Sequence, residues 1–197
     1  MSVRAFLAIE LEDELRHKIY EIEKEFKKID AKIAYVEEKN LHITLKFFGE
    51  IDLQGLDKIS DKIESVLANY KPFGINIKGC GAFPSNDHIK AIWFGTQDNK
   101  IINELHDDLD AEFDSIGIEK DKNYSSHVTF GRMKSEKNKD EVRREIEKYE
   151  KHEIGPMNVK KIILMESTLT ARGPVYKPIK EYKIEWFNGF FLNTKRD

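Results

Sequence analysis

Residues 41–47 decide how this sequence folds, and they read Leu41-His42-Ile43-Thr44-Leu45-Lys46-Phe47. Apolar and polar residues alternate along the whole stretch, as they do in a β-strand that buries one face and leaves the other open. The alternation therefore predicts a strand whose open face carries three polar side chains, namely His42, Thr44 and Lys46.

A second stretch, His127-Val128-Thr129-Phe130, repeats this arrangement later in the chain. Chance would produce roughly 0.2 His-x-Thr pairs in a chain of this composition, so two pairs in matching contexts are informative. Side chains two residues apart on a strand share a face and lie about 6.6 Å apart along it. Each pair thus presents an imidazole beside a hydroxyl, although a single such pair would more often be a solvated strand face.

The residues around the two pairs predict a mixed α+β fold. Helical spacing of apolar residues predicts four helices near 15–29, 56–67, 101–116 and 142–149, with Asp13 as the N-cap of the first. Alternating or apolar stretches predict strands near 3–9, 33–36, 41–47, 73–77, 89–94, 124–133, 159–165 and 179–187. A helix followed by a strand with His-x-Thr occurs in each half, and no Pro/Gly/Ser-rich linker separates the halves. We therefore expect residues 1–197 to form a single domain of two similar lobes.

Composition narrows the class of protein. The chain has 197 residues, of which 40% are hydrophobic, enough to bury a core. Its 33 basic and 36 acidic residues give a net charge of -3, whereas proteins that coat long nucleic acids carry a basic excess. Cys80 is the single cysteine, and neither a membrane-spanning run nor a signal peptide is evident. These features predict a cytoplasmic protein without membrane contact or an obligatory protein partner.

Two imidazoles and two hydroxyls suit phosphodiester chemistry. One imidazole can activate water and the other can protonate the leaving oxygen, because the ordinary pKa of histidine is about 6.5. Hydroxyls of Thr44 and Thr129 can donate to the nonbridging oxygens. The sequence has no His-x-x-x-His pair, Asp-rich motif or Cys cluster, so neither a metal nor a cofactor is expected. The two pairs look equivalent, and the residues alone leave acid and base unassigned.

Other residues are weaker candidates. Lys46, on the predicted face of His42, is a candidate source of positive charge in the cleft. Strict alternation puts Arg132 on the apolar side of its strand, so it reaches the cleft only if Gly131 forms a bulge. Tyr176 is a candidate for stacking on a base. Three further histidines lie in charged helical stretches and are expected at the surface: His17, His106 and His152.

The chain resembles the two-histidine (2H) phosphoesterases, and most closely the RNA 2′,3′-cyclic phosphodiesterases, historically called 2′-5′ RNA ligases. The similar segments are residues 4–6, 40–50, 81–84, 93, 127–132, 166–169 and 173–176. Two departures are visible: Ser126 stands where the family often has Pro, and Lys90 where it often has Arg. Both lie outside the His-x-Thr pairs.

The resemblance implies a bilobal α+β fold in which two pseudo-symmetric antiparallel sheets, flanked by helices, face each other across a central cleft. It also implies metal-independent opening of 2′,3′-cyclic phosphates at RNA ends to 2′-phosphomonoesters, together with reversible 2′-5′ RNA ligation. His42 would then be the proton donor and His127 the acceptor. Two alternatives stay open: an esterase for cyclic nucleotides or ADP-ribose cyclic phosphate, and an RNA-end-binding module without catalysis.

Overall fold

The computed structural model describes residues 2–97, 100–170 and 173–185. Its strands are β1 (Ser2–Glu10), β2 (Ile33–Tyr35), β3 (His42–Asp52), β4 (Phe73–Ser85), β5 (His88–Gln97), β6 (His127–Met133), β7 (Glu153–Val159), β8 (Lys161–Thr170) and β9 (Gly173–Lys183). Its helices are α1 (Asp13–Lys27), α2 (Leu53–Leu67), α3 (Lys100–Asp114) and α4 (Lys139–Lys148), with a short 3₁₀ turn at Glu38–Asn40. Among these residues, no helix combines the length and the apolar character needed to span a bilayer.

The strands form one antiparallel sheet in the order β7-β4-β5-β6-β3-β1-β8-β9, with β2 beside β6. The predicted α+β class is therefore confirmed. The two predicted sheets are the two halves of this sheet, and they join where β3 meets β6. At that junction, Ile43 of β3 lies opposite Val128 of β6.

The apolar residues that predicted the strands and helices form the core. Ile43 and Val128 are fully buried, and they belong to a large cluster that includes the apolar faces of all four helices. Helix α1 begins as the periodicity predicts, but Glu12 occupies the N-cap position and Asp13 lies in the first turn. Carboxylates in the first turn still interact favourably with the helix dipole.

Strand β7 is absent from the elements that the sequence pattern predicts. Gly155, at φ +138°, and Pro156 interrupt its apolar pattern, and both residues are typical turn signals. The strand lies at the edge of the sheet, where a proline is tolerated because one side needs no ladder hydrogen bonds. Other bounds differ as well: β6 begins at His127 instead of residue 124, β8 extends to Thr170 instead of residue 165, and β9 begins at Gly173 instead of residue 179. The last two residues of the predicted strand 179–187 lie outside the described residues.

Candidate active site

The junction between the two half-sheets brings the two His-x-Thr pairs together. Ile43 and Val128 point into the core, so the residues on either side of each point to the opposite face. Because the strands are antiparallel, each histidine lies across from the threonine of the other motif. The four side chains line one cleft of about 360 Å³: His42, Thr44, His127 and Thr129.

Each imidazole is oriented by the backbone just before it. His42 Nδ1 lies 2.6 Å from the carbonyl oxygen of Asn40, and His127 Nδ1 lies 2.6 Å from that of Ser125. Since a carbonyl only accepts, Nδ1–H is the donor in both cases. This hydrogen bond selects the tautomer and leaves Nε2 available for proton transfer with a molecule in the cleft.

Aromatic rings pack against both histidines. Tyr176 meets His42 edge-on, with ring centroids 5.3 Å apart, and Phe6 lies 5.1 Å from the same imidazole. Phe83 meets the imidazole of His127 edge-on at 4.8 Å in the other half of the sheet. The two half-sites therefore hold their imidazoles in equivalent ways, by one carbonyl and by aromatic neighbours.

Burial and neighbouring cations lower the pKa of both histidines. For His42, burial has the largest effect, and the nearby His127 and Arg132 lower the pKa further against the opposing carbonyl of Asn40. For His127, burial again comes first, and Arg132 adds to it against the carbonyl of Ser125. Both imidazoles are therefore easier to deprotonate than an exposed histidine until an anion enters the cleft.

A β-bulge changes the predicted face of Lys46. In the pairing of β3 with β1, Leu7 opposes Lys46 but Ala8 opposes Thr44, so Leu45 is the extra residue. Beyond the bulge the faces exchange: Lys46 turns inward and is 3% exposed, whereas Phe47 lines the cleft and is 49% exposed. The predictions that Lys46 shares the face of His42 and that Phe47 is a core residue are thus wrong.

An equivalent bulge brings Arg132 into the cleft. Trp93 opposes Thr129 and Ile92 opposes Gly131, so Phe130 is the extra residue on β6. Arg132 lines the cleft as a result. The strand is bulged next to the expected position, with Phe130 instead of Gly131 as the extra residue. Tyr176 lines the cleft as well. Arg132 and Phe47 each stand five residues after the histidine of their motif, so the two half-sites differ at this equivalent position.

The model for the 2′-5′ RNA ligase superfamily matches residues 11–170, which include both His-x-Thr pairs. The chain belongs to this superfamily. The match supports the resemblance on which the sequence analysis drew.

Two proteins similar in sequence to this chain align with it over their whole length. The chain is 36% identical to an RNA 2′,3′-cyclic phosphodiesterase of Methanothermobacter thermautotrophicus, over 93% of this chain and 100% of that protein. It is also 36% identical to a protein of the same name from Methanocaldococcus jannaschii, over 91% of this chain and all of that protein. The crystal structure of TT0787 from Thermus thermophilus aligns with a TM-score of 0.79 at 22% identity, covering 92% of this chain and 97% of that one.

Several residues around this cleft were not predicted from the sequence. Phe6 and Lys134 line the cleft, and the carbonyls of Asn40 and Ser125 orient the imidazoles. Both carbonyls belong to the residue two positions before the histidine. The repetition of the His-x-Thr motif is the sequence signal that could have located them. The prediction that His106 is a surface residue is wrong, because this residue is only 3% exposed.

Proposed function

We propose that this chain opens the 2′,3′-cyclic phosphate at RNA ends to a 2′-phosphomonoester by general acid-base catalysis, with His42 as the acid and His127 as the base. Water attacks phosphorus and gives a proton to His127, while the bond from phosphorus to the ribose 3′ oxygen breaks and His42 protonates that oxygen. With the 5′ hydroxyl of a second RNA end in place of water, the same steps would join two ends through a 2′-5′ bond, and their reversal would restore the cyclic phosphate.

One observation carries the proposal: two equivalent imidazole–hydroxyl pairs line the same cleft from adjacent strands. In-line displacement at phosphorus needs a proton acceptor and a proton donor on opposite sides, and two imidazoles can fill both roles near neutral pH. The hydroxyls of Thr44 and Thr129 lie in the same cleft and can donate to the nonbridging oxygens, whose charge increases during the reaction.

The walls of the cleft suit a nucleotide. Arg132 and Lys134 contribute positive charge, which attracts the phosphate. Phe6, Phe47 and Tyr176 contribute aromatic surface on which a base can stack. The names of the relatives support RNA ends as the substrate class. A noncatalytic binding module is the weaker alternative, since a binder needs neither an acid nor a base.

The size of the cleft favours a second candidate activity on free nucleoside cyclic phosphates. A volume of about 360 Å³ accommodates roughly one nucleotide, so the chemistry does not require the preceding RNA chain. Hydrolysis of a nucleoside 2′,3′-cyclic phosphate would therefore use the same residues, and the relative rates with and without an RNA chain would identify the preferred substrate.

The direct experiment compares two substrates: a short RNA ending in a 2′,3′-cyclic phosphate and a nucleoside 2′,3′-cyclic phosphate. We expect both to be opened, the RNA with the higher kcat/KM, and phosphorus NMR to show a 2′-phosphate. A 3′-phosphate product would retain the two-histidine chemistry and reverse the substrate orientation. Binding of the RNA end without any turnover would contradict the proposal in favour of a binding module.

A further inference from the structure

Lys46 is a buried cation next to the active site that the proposed chemistry does not use. Its Nζ contacts the carboxylate of Asp110 on α3, which is also buried. It donates to the carbonyl oxygen of Glu119 at 2.8 Å and lies 3.2 Å from Oδ1 of Asp121. Glu119 and Asp121 belong to the irregular segment 115–126, which connects α3 to the strand of His127.

The same segment is held by two further groups on α3. Asp110 Oδ2 accepts a hydrogen bond from the backbone N–H of Asp121 at 3.0 Å. His106 Nε2 lies 3.2 Å from Oδ2 of Asp121, and the imidazole stacks on the ring of Tyr124 with centroids 3.7 Å apart. Tyr124 immediately precedes Ser125, whose carbonyl orients His127. A continuous series of contacts therefore runs from Lys46 to the His127 half-site.

The position of Lys46 also bears on whether this cluster is a metal site. His106, Asp110 and Asp121 offer ligand atoms that lie within 4.8 Å of one another. Lys46 Nζ contacts both carboxylates, so one positive charge already offsets part of their negative charge. A divalent ion would have to displace this ammonium group, and the cluster is better explained as an anchor for the segment.

We propose that Lys46 is a positioning residue, which fixes segment 115–126 and thereby holds the Ser125 carbonyl against His127. Lys46 lies two residues beyond Thr44 on β3, so the anchor also connects one half-site to the other. The inference rests on the proposed function. It adds that contacts of Lys46 outside the cleft determine the orientation of the base, His127.

The test uses a double substitution, Lys46→Met with Asp110→Leu. Apolar residues of similar volume often replace a buried ion pair without loss of stability, whereas removing one partner leaves a buried charge. The matched control is Lys62→Met with Glu112→Leu, which removes another ion pair to α3, 2.6 Å long and partly exposed. Glu112 contacts segment 115–126 through its backbone carbonyl, which accepts from Ser115 Oγ at 2.6 Å, and the control substitutions retain this carbonyl.

The decisive measurement is nitrogen NMR of the imidazole rings, which needs no activity. In the parent protein we expect both neutral active-site histidines to carry the proton on Nδ1. The double variant should give a mixture of tautomers at His127 and leave His42 unchanged, with kcat about 10–100-fold lower and KM little altered. The control should match the parent in both measurements.

A folded double variant with an unchanged His127 tautomer would overturn the inference. If the double variant does not fold, Lys46→Met with Asp110→Asn decides, because the asparagine retains an oxygen that accepts from the Asp121 N–H while the contacts of Lys46 are removed. An unchanged His127 tautomer in this variant would then overturn the inference. A changed tautomer in the variant, together with a parent protein that shows no phosphodiesterase activity, would support the anchor and reject the proposed function.

Discussion

At the scale of single residues, the environment of the two imidazoles determines how activity depends on pH. Burial and Arg132 lower the pKa of both His42 and His127. His42, the proposed acid, loses its proton as the pH rises through its lowered pKa. His127, the proposed base, gains a proton only when the pH falls through its own lowered pKa. Both limbs of a bell-shaped profile of kcat/KM therefore shift to lower pH than those of unperturbed imidazoles.

We expect the maximum of kcat/KM below about pH 6.5, the ordinary pKa of histidine. The profile of kcat should lie at higher pH, because the bound phosphate anion favours protonated imidazoles. Initial rates across the pH range, separated into kcat and kcat/KM, provide the measurement. A kcat/KM maximum above pH 7.5 would contradict the pKa shifts of the free enzyme.

The threonine hydroxyls provide a second test at this scale. Thr44→Ala and Thr129→Ala should each lower kcat by about 10–1,000-fold, since each removes one donor to the phosphoryl oxygens. Thr44→Ser and Thr129→Ser retain a hydroxyl and should lose less than the alanine variants. Equal losses for serine and alanine would indicate that the methyl group, rather than the hydroxyl, is needed.

At the scale of strands, the bulges on β3 and β6 explain why the sequence predicts the faces of some side chains correctly and of others incorrectly. Alternation correctly predicts which face carries the histidines and threonines, because side chains have a period of two on a regular strand. A bulge adds one residue against the partner strand, which the sequence of one strand does not reveal. Alternation alone therefore places Lys46 and Phe47 on the wrong faces of β3. For Arg132, the preceding Gly131 is a sequence signal for a bulge, and a bulge would turn Arg132 towards the cleft.

Strand β4 offers a test of how the neighbouring strands support His127. A Cβ on Gly81 would come within 2.5 Å of the indole of Trp93, whose ring centroid lies 6.3 Å from that of His127. Gly81→Ala should cost about 1–3 kcal/mol of unfolding free energy and reduce kcat, because the indole must move. Denaturant unfolding and initial rates measure the two effects.

Gly74→Ala is the matched control on the same strand. A Cβ there meets its nearest heavy atom, on Asn158, at an ordinary contact distance of 3.8 Å. It should leave both stability and kcat close to those of the parent protein. Equal effects of the two substitutions would indicate a general sensitivity of β4 to replacing glycine, rather than a specific contact with Trp93.

At the scale of the whole molecule, the internal repetition was visible in the sequence, and the way the halves join was not. Two His-x-Thr pairs in similar contexts predicted two similar lobes with a site between them. Strands β3 and β6 are aligned through Ile43 and Val128, which are far apart in the sequence. Local sequence patterns carry little information about which distant strands pair. The edge strand β7 is not predicted for a different reason, because Gly155 and Pro156 interrupt its apolar pattern and are typical of turns.

The site as a whole is expected to work without a metal. Two imidazoles and two hydroxyls already supply the proton transfers and the donors that the reaction needs. Initial rates should therefore be unchanged after dialysis against EDTA, and added Mg²⁺ or Mn²⁺ should not increase them. Loss of activity on chelation, restored by one of these ions, would require a different mechanism.

The most direct test of the central claim is the pH profile of kcat/KM for His42→Ala and His127→Ala on RNA ending in a 2′,3′-cyclic phosphate. Each substitution should lower the rate by about 100–10,000-fold, with the fold retained. His42→Ala should abolish the alkaline limb, where the acid is lost, and His127→Ala the acidic limb, where the base is protonated. Near-full activity in either variant, or a complete bell in both, would contradict catalysis by this pair of histidines.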